Sequence, residues 1–371
     1  MLPKIEFVGY EMHVLEPIPF SRTNVRAKNR TLLAAMTNKQ SLDDGRLSED
    51  EIHWLVRRAK GGFGITTTAA ANVTKTGRGW DGEMGVWGDH QLEGLSKLAT
   101  QLKETGTISL VQLFHGGMRA PENLNGQQPI SASKNTEVHM NGTYAREMSE
   151  TEIVSMIQSF TEAAVRCEKA GFHGVELHGA HSYLICQFLG SKTNRRTDSW
   201  GGDIWGRSRF LREIIHSIRN ETNKDFLISV RISPIIESIG IALDESLALT
   251  KILCELEIDM LHLSCWDVFQ SIGAGSNLTK EFRRVVPEHV VFVSTGSVWT
   301  ARDVNWILRE GADVVGVARV GIGHPDWPMH LHNLDYNPQR PPFTVAHLSE
   351  AGLNPTFISY MKRWKNFVVD Q

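Results

Sequence analysis

Two imidazoles and a phenol lie close together in the run Val175-Glu176-Leu177-His178-Gly179-Ala180-His181-Ser182-Tyr183. Histidines at i and i+3 can bind a metal, but zinc asks for a third and fourth ligand, and no carboxylate or cysteine follows at a typical spacing. The same pair can donate two N–H bonds to a carbonyl oxygen and stabilise negative charge developing there. Tyr183 can then supply a proton through its phenol. In a purely structural reading, both histidines are satisfied within the fold and Tyr183 is packing.

Arg231, in Val230-Arg231-Ile232-Ser233, brings a guanidinium into an apolar run, where an unpaired charge is expensive. Its partner is either Glu176 or a bound anion such as a reduced cofactor ring. Gln112 offers a donor and an acceptor, a pattern that reads an imide edge or that a buried glutamine uses on backbone. Thr295-Gly296-Ser297 and Gly316-Val317-Ala318-Arg319 end two later apolar runs. Such ends bind phosphate through backbone N–H groups, Arg319 can add bidentate contacts, and Gly296 can equally be a tight turn. No G-x-G-x-x-G follows a strand-like run and no Walker loop is present, so the phosphate belongs to a mononucleotide or a phosphorylated substrate.

These residues need positioning, and the chain alternates short β-branched runs with longer amphipathic ones. Strands are expected at Arg30–Met36, Phe63–Ala69, Ile108–His115, Val175–His178, Phe226–Ile232, Met260–Ser264, Val290–Ser294 and Asp313–Ala318. Between them Ile52, Leu55, Val56 and Ala59 fall on one helical stripe, and so do Ile153, Ile157, Phe160, Ala164 and Cys167. Ser48 to Glu51 and Ser149 to Glu152 read as capping boxes, and Gly61, Gly106, Gly171 and Gly311 as left-handed helix stops. Eight β-then-α units with short αβ turns predict an α/β fold, a single-domain (β/α)₈ TIM barrel. Its long loops, Gly116–Met148 after strand three and Ser182–Asp203 after strand four, are candidate lids. The barrel with an N-terminal lead-in is expected over 1–335. A C-terminal tail over 336–371 is expected to pack on the barrel or on a partner subunit. Ala35-Met36-Thr37, Gln112, His178, Arg231, Gly296 and Arg319 all then gather at the strand C-terminal mouth.

Composition excludes several classes. Of 371 residues 41% are hydrophobic and 22% charged, which suits a globular core. With 39 basic against 42 acidic residues there is no basic field for nucleic acid. Four cysteines without C-x-x-C spacing argue against a disulfide framework, a zinc ribbon and an iron–sulfur cluster. No apolar run reaches the ~20 residues of a membrane span, and no signal peptide is visible. A cytoplasmic protein without nucleic-acid or membrane partners is expected.

The motifs together resemble those of the Old Yellow Enzyme family of NADH:flavin oxidoreductases. They run in order from Lys28-Asn29-Arg30, through Gln112-Leu113-Phe114-His115-Gly116-Gly117 and Glu176-Leu177-His178-Gly179-Ala180-His181-Ser182-Tyr183-Leu184, to Asn194-Arg195-Arg196-Thr197-Asp198-Ser199-Trp200-Gly201-Gly202 and Val230-Arg231-Ile232-Ser233. The resemblance implies a TIM barrel holding non-covalent FMN across the mouth, with NADH or NADPH as reductant. It implies cofactor contacts at Ala35, Met36, Thr37, Gln112 (pyrimidine edge), Arg231 (beside N1), Gly296, Ser297, Ala318 and Arg319 (phosphate). It further implies that His178 and His181 grip the substrate oxygen and that Tyr183 is the proton donor. The activity implied is an ene-reductase, reducing the C=C bond of α,β-unsaturated carbonyls and related electrophilic alkenes by a ping-pong cycle. The chain departs from the family at Ala35, Ala318, Gly190-Ser191 and Gly206. One branch inserts a C-terminal arginine into a partner's site, a role for which Arg363 is the candidate in a homo-oligomer. Two other readings stand beside this one: a flavin-binding barrel without ene-reductase activity, and a metal-dependent barrel hydrolase using His178 and His181.

Overall fold

The computed structural model describes residues 13–136, 144–273 and 275–369. Eight parallel strands close on themselves: β1 Thr31–Leu33, β2 Ile65–Asn72, β3 Ile108–Phe114, β4 Gly174–Gly179, β5 Leu227–Ile232, β6 Met260–Ser264, β7 Val291–Thr295 and β8 Val314–Val317. Each pairs with its neighbours in sequence, and β8 returns to β1 through Val315↔Thr31 to Val317↔Leu33, which completes the barrel. Every expected strand is present. The first is shorter than its apolar run, because beyond Leu33 the chain turns into the mouth loop that carries Ala35, Met36 and Thr37.

Helices α1 Glu49–Lys60, α2 Leu92–Glu104, α3 Glu150–Ala170, α4 Arg209–Glu221, α5 Leu243–Cys254, α6 Leu278–Arg283 and α7 Ala301–Arg309 surround the sheet. The capping box at α3 is reciprocal, with Ser149 and Glu152 each accepting from the other's backbone. At α1 only half of it forms. Ser48 caps Glu51 N, but the Glu51 carboxylate turns inward to Asn38 Nδ2 at 2.8 Å and to Ser41 Oγ. Gly106, Gly171 and Gly311 do stop in the left-handed region. Gly61 does not: its φ is −71°, and Gly62 takes the left-handed turn at +102°. Gly61 is glycine for another reason, since a Cβ there would lie 1.8 Å from the Pro325 carbonyl.

The two ends of the barrel differ. An antiparallel hairpin, Ile18–Pro19 with Arg26–Ala27, closes the N-terminal end, packing Ile18, Phe20 and Ala27 against Leu32, Ile65, Ile108, Leu227 and Met260. Nothing in the sequence pattern marks this plug. It is anchored by Arg22 on Asp259 at 3.0 Å, where Arg219 Nη2 (2.7 Å) and Ile228 N (2.7 Å) also converge. The opposite end is polar and faces the long loops. From residue 343 the tail folds back on its own barrel: Phe343–Thr344 pairs with Val368–Val369, and Phe357 meets Trp54 of α1 at 5.3 Å between rings. Arg363 is exposed and stacks on Tyr360 at 5.2 Å.

Asp259 holds two guanidinium groups with its own side chain fully buried. Asp259→Ala leaves the nearly buried Arg219 without its partner, and urea denaturation is expected to show a loss of about 3–5 kcal/mol. A loss under 1 kcal/mol would mean that the anchor is dispensable.

Candidate active site

β4 delivers His178 to the mouth, and the chain then makes a sharp turn in which His181 (φ +58°) and Ser182 (φ +64°) are both left-handed. Side chains rarely adopt this conformation, at a cost of order 1–3 kcal/mol each, so the turn needs external support. Three bonds supply it. His181 N donates to Ser233 Oγ (3.3 Å), Arg119 Nη1 donates to His181 O (3.0 Å), and Gln187 Nε2 donates to Ser182 O (2.8 Å). Gln187 is itself fixed, its Oε1 accepting from Met118 N at 3.0 Å and Ser131 Oγ at 2.8 Å. Sequence reasoning missed Gln187 and Arg119. Gln187 sits in the apolar run Leu184-Ile185-Cys186-Gln187-Phe188-Leu189, where one buried amide is the only signal.

The turn brings His178, His181 and Tyr183 together. Ring centroids are 5.1 Å apart for the two histidines and 5.0 Å for His178 and Tyr183. Phe114 meets Tyr183 edge-on at 4.5 Å, Trp80 lies 6.4 Å away, and the Arg119 guanidinium stacks on the phenol ring at 4.9 Å. Ala180 N donates to His178 Nδ1 (3.4 Å), which leaves the proton on Nε2. His181 Nε2 lies 2.9 Å from Ser264 Oγ, and that oxygen also accepts from Arg231 Nη2 at 3.0 Å. Burial, the neighbouring imidazole and Arg231 push the His178 pKa well below 6.5. His181 is pushed down to about 3 by loss of solvation at the ring and by Arg231, although the residue as a whole is exposed. Both imidazoles are therefore neutral N–H donors near pH 7. Among the described residues no group of three or more His, Cys, Asp or Glu is placed to hold a metal.

Gln112 and Arg231 occupy the interior beside them. Gln112 Nε2 donates to Glu176 Oε1 at 2.7 Å. Arg231, 6% exposed, also donates weakly to Ala35 O (3.4 Å) and makes no hydrogen bond to Glu176, while its Nε is buried without a partner. Met36 packs partly buried against the core, and Thr37 is half-buried on the same loop. His115, buried, lies against Gly77, where a Cβ would come within 2.4 Å of its ring, and its Nδ1 accepts from Gly117 N at 3.0 Å.

At the ends of β7 and β8, Gly296 (φ +152°) and Ser297 (φ +57°) form a concave turn over Cys265, with a Gly296 Cβ excluded by the Cys265 carbonyl at 2.6 Å. Arg319 Nη2 reaches Ser297 Oγ at 3.2 Å from an otherwise exposed position. Ala318 stands at φ −122°, which does not require glycine. The loops after β3 and β4 brace one another. Asn135 bonds Thr193 O (2.7 Å) and Arg195 (2.9 Å), and Arg196 bonds Ala132 O (3.0 Å) and Met148 O (2.6 Å). These bonds tie the described parts of the two expected lids to each other. Part of the first expected lid, 137–143, lies outside the described residues.

The fold is a closed α/β barrel whose polar strand ends, with His178, His181, Arg231 and Arg319 among them, gather at one mouth, the architecture of a barrel enzyme. The model of the NADH:flavin oxidoreductase / NADH oxidase family matches residues 13–336. A probable NADH-dependent flavin oxidoreductase of Bacillus subtilis (strain 168) is 34% identical over 328 residues, covering 86% of this chain and 87% of the relative. NADH:acrylate oxidoreductase of Vibrio harveyi is 33% identical over 319 residues, covering 82% of this chain but only 32% of that longer protein. The solved structure of an Old Yellow Enzyme homologue from Zymomonas mobilis matches with a TM-score of 0.80 at 26% identity, over 93% of this chain and 98% of that one. The chain belongs to the NADH:flavin oxidoreductase / NADH oxidase family, that of the Old Yellow Enzymes, whose cofactor is FMN and whose reductant is NADH or NADPH. No helix among the described residues is long and apolar enough to cross a membrane.

The mouth fits FMN on three observations. Arg231 Nε is buried without a partner, Gly296 and Ser297 turn at positive φ at the end of β7, and Arg319 is an exposed cation that reaches Ser297.

Acid sensitivity follows from the buried imidazoles. Burial lowers the His115 pKa to about 3. Below about pH 6.5 the unfolded chain binds a proton that the folded chain refuses, so this stabilisation is complete above that pH and is lost as the pH falls toward 3. At 1.36 kcal/mol per pH unit, His115→Phe should reduce the loss of stability between pH 7 and pH 5 by about 2 kcal/mol. An unchanged difference in urea denaturation would refute the assignment.

Proposed function

We propose that the chain is an FMN-dependent ene-reductase, which reduces the C=C bond of α,β-unsaturated carbonyls and related electrophilic alkenes at the expense of NADH or NADPH. The observation that carries this reading is the neutral His178–His181 pair with the Tyr183 phenol against it. FMN bound there would supply the hydride transfer that links the nicotinamide to the alkene's β-carbon. Arg231, Gln112, Thr37 and the backbone of Ala35 and Met36 would hold its ring. Gly296, Ser297, Ala318 and Arg319 would hold its phosphate.

The chain's own residues do the rest. His178 Nε2–H, joined by His181, holds the carbonyl oxygen and stabilises the negative charge that grows there. Tyr183 donates its phenolic proton to the α-carbon, so the carbonyl survives and the alkene is saturated. Phe114 and Trp80 wall the pocket and keep water from the reacting carbons. One mouth serves nicotinamide and alkene in turn, which predicts ping-pong kinetics. The four cysteines are free and buried, which suits a reducing cytoplasm. A homo-oligomer with Arg363 reaching a neighbour belongs to the same proposal and is tested by sedimentation of the parent beside Arg363→Ala.

The deciding experiment is a visible spectrum of the purified protein under anaerobic conditions, with NADH, then NADPH, then 2-cyclohexenone added. Flavin bands that bleach with a nicotinamide and return with the enone support the reading. A yellow protein whose bleached flavin ignores the enone favours a flavin barrel without ene-reductase activity, and a colourless protein that takes up zinc favours the hydrolase.

Two variants test the roles. Tyr183→Phe should leave flavin reduction by the nicotinamide intact and slow enone reduction by about 10²-fold; equal slowing of both half-reactions would make Tyr183 structural. His178→Ala with His181→Ala should weaken phenol ligands that mimic the enolate, and unchanged phenol affinity would reject the oxyanion role.

A further inference from the structure

One layer beneath the mouth, a chain of buried polar groups crosses five strands. Glu176 stands two residues before His178 on β4 and so points into the same interior, one step deeper. Its carboxylate accepts from Gln112 Nε2 at 2.7 Å, from Ser229 Oγ at 3.3 Å and from His262 Nδ1 at 2.7 Å. His262 Nε2 lies 2.7 Å from Thr295 Oγ1, and every member is buried.

An ionised carboxylate has no proton to give, so each bond fixes its partner. Gln112 must turn its NH₂ down to Glu176, and its carbonyl oxygen therefore faces up. His262 must carry its proton on Nδ1, which leaves Nε2 to accept from Thr295. Burial works against ionisation of Glu176, but the hydrogen bonds from His262 and Gln112, with the Arg231 charge, hold its pKa below the ordinary value. Arg231 is affected in turn: burial lowers its pKa and the Glu176 charge opposes that. No hydrogen bond joins the two, so their coupling is through charge alone. The motif Glu-x-His at 176–178 thus places an anion directly under the group that binds substrate.

We propose that Glu176 is a positioning residue for the cofactor: it turns the Gln112 carbonyl toward the mouth and offsets the Arg231 charge, so that it both strengthens FMN binding and lowers the flavin's reduction potential. This rests on reading Gln112 and Arg231 as the residues beside the flavin's pyrimidine edge. Gln112 Oε1 then meets a ring N–H, which an upward-facing NH₂ could not do. The cation beside the ring favours the anionic reduced form, and the carboxylate below moderates that preference.

The test uses Glu176→Gln, which keeps the size and removes the charge. FMN titrated into the apoprotein, followed by flavin fluorescence, should show a dissociation constant raised about tenfold, because Gln112 is no longer held in one orientation. Equilibration of the holoprotein with a redox dye should show a more positive potential, by about 30 mV for a tenfold change in the two-electron equilibrium. A merely structural glutamate would loosen FMN without moving the potential upward, so an unchanged or more negative potential overturns the proposal. Ser229→Ala retains the charge and removes one donor to it, so the potential should move the opposite way with FMN affinity near that of the parent. If Glu176→Gln does not fold, this variant decides, and no displacement overturns the proposal. Failure of the underlying reading shows separately, as a parent apoprotein that takes up no FMN, and it carries this proposal down with it.

Discussion

A guanidinium inside a barrel is the constraint around which this mouth is organised. Arg231 is 6% exposed on β5, and an isolated charge at such a place costs several kcal/mol. The surroundings answer it without neutralising it by a direct ion pair. Ser264 and the Ala35 carbonyl accept from it, and the Glu176 carboxylate lies one layer down. The same cation helps to lower the pKa values of His178, His181 and His262, though burial leads in each case. Loss of solvation, with the Arg231 charge added to it, thus keeps the three imidazoles neutral, and neutral imidazoles can donate one proton and accept another.

A second constraint is the backbone turn at His181 and Ser182. Two consecutive left-handed residues that are not glycine are bonded by Ser233 after β5, by Arg119 after β3 and by Gln187 on the short helix that follows the turn. Those loops are in turn cross-braced through Asn135, Arg195 and Arg196. The position of the His181 imidazole therefore depends on Asn135, Arg195 and Arg196 as well as on the residues that bond the turn itself. The apolar hairpin plug at the far end completes the asymmetry: it closes the water-excluding end, so that polar strand ends are left on one side only.

The barrel was legible because its strands are β-branched runs separated by amphipathic stripes, and these patterns are local. The site was legible for a related reason, since polar residues in apolar strands, such as Gln112, His178 and Arg231, stand out against their neighbours. What stayed hidden depends on distant contacts. Gly61 and Gly62 are adjacent and identical in sequence, yet one makes the left-handed turn while the other admits the Pro325 carbonyl. Glu51 has the spacing of a capping box, but buried Asn38 and Ser41 outbid the backbone for its carboxylate. The hairpin at 18–27 and Gln187 carry no periodic signal at all. Gln112 and Glu176 were each visible, but their pairing needed the register Glu176↔Gln112 between β4 and β3.

The neutrality of the imidazoles bears on the proposed chemistry. A protonated pair would bind an enolate strongly, but it would also bind any resting anion, including products and buffer ions, and binding of that kind does not lower a barrier. Neutral N–H donors hold a carbonyl modestly and an oxyanion more strongly, so their contribution grows as charge develops. Loss of solvation and the Arg231 charge both favour the neutral form, most completely at His178, which is buried, while His181 keeps an exposed face. In the proposed reading the cation beside the flavin also adds to the lowering of the donors' pKa values, so the cofactor half and the substrate half of the mouth are coupled through its charge.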